Sequence, residues 1–450
     1  MSTPLILSKP EDLNTPAKRG KYTVCIIGCG QVGILHAVLF AEAGFKVICF
    51  DSDQTVVNSL MKGKAPFSVD EIKDKMKTQV RDKQITATND IKEAVSSSNI
   101  ITVTIPAKID SKKQVDYSTI ESMFKKIGQN LAVGSLVIVA RLTGTSMVEG
   151  TIKEALENAS GLRIEKDFGL AYSPYLSISG QRMIAASDNN IMSIASAVLE
   201  PITRGGLKKT NNMKAAEAAA LFTVQWKDLN LAFTDELTQF CEKTCVDYLE
   251  VDKLLTGSAG NFLSTSAPPN ALSKDEPYIL LTEAENLNLK LRIGEVARDI
   301  NEQAAKHVAN LVRDALRSCG KTPKRARIGL LGISETPNMK GSPKRIGKEL
   351  AQVLTTRGCR ITLYDPFFSE DDLADSQVRP KKNLAEAIEG SDCIVIITPH
   401  DQFKRLNLTK LKLMMRKPSA IVDLEGIIEP DKVEKEGFIY RGLGRGVWTK

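Results

Sequence analysis

Residues 24–33 read V-C-I-I-G-C-G-Q-V-G, and Asp51 follows directly after the apolar stretch Lys46–Phe50. A strand, a glycine-rich turn, a helix and a second strand ending in a carboxylate make a dinucleotide-binding unit. Gly28 permits the tight turn. Gly30 lets the backbone approach a pyrophosphate. Gly33 lets the helix pack against the strand. The pyrophosphate would lie on the helix N–H groups around Gln31 and Val32. Asp51, with Asp53 nearby, would accept from ribose hydroxyls and repel a 2′-phosphate. The expected cofactor is therefore NAD rather than NADP.

The chain has 450 residues, enough for two or three domains. Hydrophobic residues make up 42% and charged residues 26%, an ordinary globular balance. The net charge of +7 is spread along the chain and aromatics are few, so no nucleic-acid stripe stands out. That mild excess suits a negatively charged small ligand. The first twenty residues are polar, carry Pro4, Pro10 and Pro16, and read as a flexible tail rather than a signal peptide. No apolar run has the length of a membrane span. Cys25, Cys49, Cys359 and Cys393 lie in apolar strand-like runs and read as buried thiols. Cys241 and Cys245 share a helix without matching metal ligands. His36, His307 and His400 are too scattered for a metal cluster, so no metal is expected. This cysteine usage fits the cytoplasm.

Apolar runs alternate with amphipathic stretches from residue 21 to 205. Tyr22–Ile27, Lys46–Phe50, Asn99–Ile105, Ser135–Ala140 and Phe168–Tyr172 read as buried parallel strands. Residues 206–318 change character: Met213–Gln239 and Leu287–Arg317 are long helical patterns around a Gly/Ser/Pro-rich loop, Thr256–Lys274. From 319 to 450 the alternation returns. Arg327–Gly332 is a strand entering a turn, Ser342–Arg357 a helix, Arg360–Tyr364 a strand closed by Asp365, and Cys393–Thr398 and Ala420–Asp423 are further strands. The fold class is α/β: two Rossmann-like parallel-sheet domains joined by a central helical region.

The chain resembles the UDP-glucose/GDP-mannose dehydrogenase family from residue 21 to 450. Beside the amino-terminal fingerprint, Asp228–Leu237 (D-L-N-L-A-F-T-D-E-L) followed by Cys241–Lys243 is similar to the family's central helix. Ala297–Asn301 (A-R-D-I-N) is similar to its second central helix, and Ser342–Pro343 and Tyr364–Pro366 to third-domain motifs. The ending Tyr440–Gly446 (Y-R-G-L-G-R-G) is similar to members acting on UDP-N-acetylated hexosamines. The resemblance implies NAD as cofactor, a nucleotide sugar as ligand, a carboxyl-terminal nucleotide-sugar domain, a homodimer built on the long helices, and oxidation of the sugar C6 to a carboxylate.

That oxidation needs two hydride transfers, with the aldehyde held between them as a thiohemiacetal and then a thioester on a cysteine. A lysine stabilises the oxyanion, and carboxylates handle protons and water. Carried over by motif, the cysteine position falls on Ala271 or Leu272, depending on register, and no cysteine occurs from 246 to 318. The partner carboxylate survives as Asp275 or Glu276. The lysine and asparagine positions fall on Ala220 and Val224, with Lys214 and Lys227 the nearest lysines. The glutamate of a Y-S-P-E segment falls on Tyr175. The segment after the fourth strand reads A-R-L-T-G-T, leaving Thr143 or Thr145 as its hydroxyl. An arginine that grips substrate across the dimer falls on Lys340, and Arg441 and Arg445 could hold a phosphate or order a loop. Among other residues, His36 reads as packed against the sheet, and Arg298–Asp299 as a subunit ion pair. His400 and Asp401 either line the cleft or form a capped turn.

Three functions stay open at this point: an NAD-linked enzyme on a nucleotide sugar, a catalytically silent binding protein on the same scaffold, and a different dehydrogenase.

Overall fold

Strands buried on both faces need near-continuous apolar sequence, and helices must cover them. The computed structural model describes the chain apart from residues 1–4, 66–69, 177–179, 256–274, 336, 339–343, 369–379 and 449–450. The chain divides into two compact units, Met1–Trp226 with Ala271–Leu291, and Lys227–Asn270 with Arg292–Lys450. The expected separate helical domain over 206–318 is thus shared between the two. Helix α2 (Met213–Thr244) begins in the first unit and continues in the second.

In the first unit, eight strands form one sheet: β1 (Thr23–Ile27), β2 (Lys46–Phe50), β3 (Ile85–Thr88), β4 (Ile100–Val103), β5 (Leu136–Val139), β6 (Gly169–Tyr172), β7 (Arg182–Ala186) and β8 (Leu207–Thr210). Their order is β8-β7-β6-β5-β4-β1-β2-β3. Pairing is parallel except between β6 and β7, so β7 and β8 run against the rest. The five strands read from the sequence are all present. Strands β3, β7 and β8 were not legible, because β3 and β8 are short, partly exposed edge strands without an apolar run. The chain order reverses between β1 and β4, and ligands bind such sheets outside the carboxyl ends of the strands at that point. Helix α1 (Gln31–Glu42) follows β1 and packs His36, Ala37 and Phe40 inward. Helix α3 (Pro277–Asn286) also belongs to this unit.

The amino-terminal segment departs from its reading as a flexible tail. Leu5 and Leu13 are buried, the Ile6 N–H donates to Gly134 O at 3.2 Å, and Arg19 donates to Leu13 O and Ala43 O. Apolar residues inside a polar, proline-rich stretch supply the anchor.

The second unit holds a five-stranded parallel sheet of β9 (Arg327–Leu331), β10 (Arg360–Tyr364), β11 (Cys393–Ile396), β12 (Ala420–Asp423) and β13 (Ile439–Gly442), in the order β10-β9-β11-β12-β13. Helix α4 (Arg292–Ser318) lies on it, and helix α5 (Arg345–Thr356) connects β9 to β10. Here the two helical motifs of the sequence meet. Arg298 grips Asp228 through Nε (2.6 Å) and Nη2, and Asn301 donates to the Asp228 carbonyl and carboxylate. Arg298 therefore pairs with Asp228 within the chain. Asp299 accepts from Gln303 one turn on.

Candidate cofactor and active site

The turn after β1 has the geometry its glycines predict. Gly28 has φ +94°, in the region that favours glycine, and a Cβ there would stand 2.8 Å from the Ile105 side chain. A Cβ on Gly33 would stand 1.9 Å from the Gly28 carbonyl, so helix and strand can approach only with glycine there. A Cβ on Gly30 would meet nothing within 4 Å, and Gly30 is exposed. That open volume lies at the start of α1, beside Gln31 and Val32, whose N–H groups belong to the unpaired first turn. Asp51 is half-buried and braces the turn: Oδ2 accepts from Cys29 N–H at 2.9 Å and Oδ1 from Asp53 N–H at 3.0 Å. Asp53 instead caps the next helix through Thr55 N–H. The turn thus presents an anion cradle and one partly exposed carboxylate, the requirements of a dinucleotide.

Cys29, within the turn, faces inward. It is 1% exposed and its thiol donates to Phe50 O. Hydrogen bonding to Cys49 and burial push it far above the usual thiol range, so it is no thiolate nucleophile.

Beyond β5, the loop carrying Arg141, Thr143 and Thr145 is held by two carboxylates. Glu217 on α2 is fully buried; Oε1 accepts from Val148 N–H (3.0 Å) and Thr143 Oγ1 (3.1 Å), and Oε2 from Ser146 N–H (2.7 Å). Burial raises its pKa against the pull of those hydrogen bonds. Glu283 on α3 accepts from both Thr145 N–H and Thr145 Oγ1. Both hydroxyls kept open from the sequence, Thr143 and Thr145, are therefore engaged in holding the loop. Sequence reasoning passed over Glu217 and Glu283, because a carboxylate on a helix carries no motif until its loop is placed against it.

Ala220 is 0% and Val224 2% exposed, packed in one apolar cluster with Ile279 and Leu221. Lys214 is exposed on the same helix. Of the two candidate carboxylates, Asp275 is exposed and Glu276 is buried, paired with Arg141 Nη2 at 2.7 Å. Tyr175 donates its N–H to Ala140 O and sets its ring edge-on to His36 at 5.3 Å. Ala271, Leu272, Lys274 and Lys340 lie outside the described residues.

The second unit repeats the theme with its carboxylate consumed. Gly332, after β9, has φ +82°, and Asp365 follows β10 as Asp51 follows β2. Asp365 is 2% exposed. Its Oδ2 accepts from Ile333 N–H (2.7 Å), Ser334 N–H (2.9 Å), Ser334 Oγ (2.9 Å) and His400 Nε2 (3.2 Å). His400 Nδ1 accepts from Asn338 N–H, so Nε2 carries the proton. His400 is fully buried in this network, and Asp401 opens the following short helix. Asp365 Oδ1 accepts from Phe367 N–H at 2.8 Å, so both carboxylate oxygens are engaged within the chain. Of the two readings kept for Arg441, its bonds within the chain match the ordering of a loop. It is 5% exposed and donates to Tyr440 O, Trp448 O and Ser318 Oγ.

Fold and turn together define a nicotinamide-dinucleotide-binding α/β protein with a second Rossmann-like unit. Residues 22–194 match the NAD binding domain of the UDP-glucose/GDP-mannose dehydrogenase family, and residues 329–430 match its UDP binding domain. The chain belongs to this family, and its amino-terminal domain is the family's NAD-binding domain. It is 26% identical over 438 residues to the UDP-N-acetyl-D-mannosamine dehydrogenase of Pyrococcus horikoshii, covering 94% of this chain and 99% of that one. It is 24% identical over 449 residues to a UDP-glucose 6-dehydrogenase of Bacillus subtilis, covering 94% and 93%. The fold matches the solved UDP-D-ManNAc dehydrogenase from Pyrococcus horikoshii with a TM-score of 0.82 at 24% identity, covering 94% of this chain and 100% of that one. A Methanosarcina mazei NDP-N-acetyl-D-galactosaminuronic acid dehydrogenase matches with a TM-score of 0.75 at 23% identity, covering 99% of each chain. Among the described residues, no helix is long and apolar enough to cross a membrane.

Proposed function

We propose that this protein binds NAD through Gly28, Gly30, Gln31, Val32, Gly33 and Asp51, takes a UDP-sugar as its second ligand, and does not perform the four-electron oxidation through a thioester. The UDP binding domain and the names of the relatives support the nucleotide sugar, and the Tyr440–Gly446 ending favours a UDP-N-acetylated hexosamine. The observation that carries the reading is the pair Ala220 and Val224. Both are sealed in an apolar cluster where the chemistry needs an amine and an amide. Tyr175 cannot serve as a carboxylate base, and no cysteine occurs from 246 to 318 to form the thioester.

A second reading, turnover by a different set of residues, has one observation in its favour. Glu276 keeps a carboxylate beside Arg141 where the family's aspartate is expected.

The proposed assembly is a homodimer. Phe222, Trp226, Phe233 and Phe240 on α2 are 48–64% exposed, and Ile293 and Val296 on α4 are 69% and 58% exposed. Leu229, Phe233, Ile293, Val296 and Ile300 line one apolar groove between these helices in the second unit. A second copy of the same helices would cover it. All eight cysteines are free, which suits a reducing compartment, and we place the protein in the cytoplasm.

Calorimetric titration with NAD and then with a panel of UDP-sugars tests the binding half directly. Saturable binding of NAD and of at least one UDP-sugar is expected. Absence of both would overturn the reading.

A further inference from the structure

Arg182, the first residue of β7, is 8% exposed, yet no carboxylate among the described residues pairs with it. Its hydrogen-bond partners among the described residues are all neutral. Nε donates to Ser173 Oγ at 2.8 Å, and Nη2 donates to Ser173 O at 3.1 Å and to His36 Nε2 at 3.0 Å. Ser173 Oγ passes its own proton to Met183 O, so it accepts from Arg182 without ambiguity. Nη1 takes no hydrogen bond among the described residues.

His36 cannot neutralise this cation. Its Nδ1 lies 2.8 Å from Val32 O and must donate there, which leaves Nε2 as an acceptor for Arg182. Burial and the neighbouring charge of Arg182 lower the His36 pKa to about 3. The imidazole is therefore a neutral strut. Burial also lowers the Arg182 pKa, to about 10, still well above neutrality, so the positive charge persists. A buried cation held only by neutral dipoles is poorly compensated until an anion arrives.

A second unsatisfied group stands beside it. The Tyr175 ring packs edge-on against His36, and its hydroxyl is buried without a hydrogen-bond partner among the described residues. Burial pushes that phenol up, so it keeps its proton and can donate. Both groups lie at the carboxyl edge of the parallel strands: Tyr175 three residues beyond β6, and Arg182 on the antiparallel neighbour that starts at the same edge. Val32, to which His36 is bonded, belongs to the dinucleotide turn itself.

We propose that Arg182 and the Tyr175 hydroxyl form an oxyanion subsite next to the dinucleotide turn, which takes a carboxylate or phosphate of a bound nucleotide. This rests on the reading of the chain as an NAD- and UDP-sugar-binding protein. The oxyanion has two candidate sources, the carboxylate of a nucleotide-linked uronic acid and a phosphate of the dinucleotide. Guanidinium and phenol donors suit either.

The test is calorimetry on the full chain with NAD, UDP-glucose and UDP-glucuronate, repeated with Tyr175→Phe and Arg182→Gln. If the sugar supplies the anion, UDP-glucuronate binds about tenfold or more tightly than UDP-glucose. Tyr175→Phe then cuts that preference roughly three- to tenfold and Arg182→Gln removes it, with NAD affinity unchanged. If the dinucleotide supplies it, the two UDP-sugars bind alike and both variants weaken NAD by comparable factors. Affinities for all three ligands within about twofold of the parent in Tyr175→Phe would overturn the subsite, whether or not Arg182→Gln folds. Failure of the broader reading looks different: the parent protein itself then binds none of the three.

Discussion

At Gly30 a Cβ would stand in open space, while at Gly33 it would strike the Gly28 carbonyl at 1.9 Å. The two glycines therefore separate binding from folding. Gly30→Val should keep the parent's stability and lose NAD binding, because the branched side chain fills the volume a pyrophosphate needs. Gly33→Ala should destabilise the protein by roughly 3 kcal/mol through overpacking, read as a lower urea midpoint. A Gly30→Val protein that binds NAD like its parent would show the cradle to be misplaced. Asp51→Ala should narrow the preference for NAD over NADP, measured as the ratio of dissociation constants. An unchanged ratio would remove Asp51 from the ribose site. Residues of this turn were legible because backbone geometry dictates their type at fixed spacing. The bond between Arg182 and His36 was not legible, since the two lie 146 residues apart and neither residue type announces the other.

Between elements, two polar clamps join the long helices within the second unit. Arg298 of α4 and Asp228 of α2 are 7% and 6% exposed as side chains. Arg298→Met would leave a buried carboxylate unpaired, and a loss of about 3–5 kcal/mol in urea unfolding is expected. His307 of α4 bridges Asp235 (3.0 Å) and Glu242 (3.0 Å) of α2, and Glu242 also accepts the Gly444 N–H. Burial alone would lower the His307 pKa. Hydrogen bonds donated by the ring to the two carboxylates outweigh it and raise the value to about 9. A folded-state pKa raised above the unfolded one means the stabilisation is complete below about pH 6.5 and fades as pH rises through about 9. His307→Gln should flatten that decline in a stability-versus-pH series. An unchanged slope would show that other groups set it. The helices themselves were readable from length and periodicity, and the A-R-D-I-N and D-L-N segments from resemblance. That these segments grip each other required coordinates, because sequence spacing does not say which helical faces meet.

At the scale of the whole molecule, the α/β class and the second Rossmann-like unit followed from alternating apolar runs and a recurring strand–turn–helix–strand–aspartate pattern. The division of the chain did not follow, since α2 reads as one uninterrupted helix and gives no sign that its residues are shared by two units. The apolar residues left exposed along α2 and α4 predict a dimer at micromolar concentration in sedimentation equilibrium. Phe233→Asp should shift it towards monomer, and a monomeric parent would contradict the assembly. We propose above that a family scaffold with an NAD cradle does without the thioester chemistry. The most direct measurement is the NADH released per UDP-sugar when the protein, saturated with NAD, is mixed in excess over a UDP-sugar shown to bind. No more than trace NADH and trace uronate is expected. Release of two NADH for each UDP-sugar would contradict the proposal.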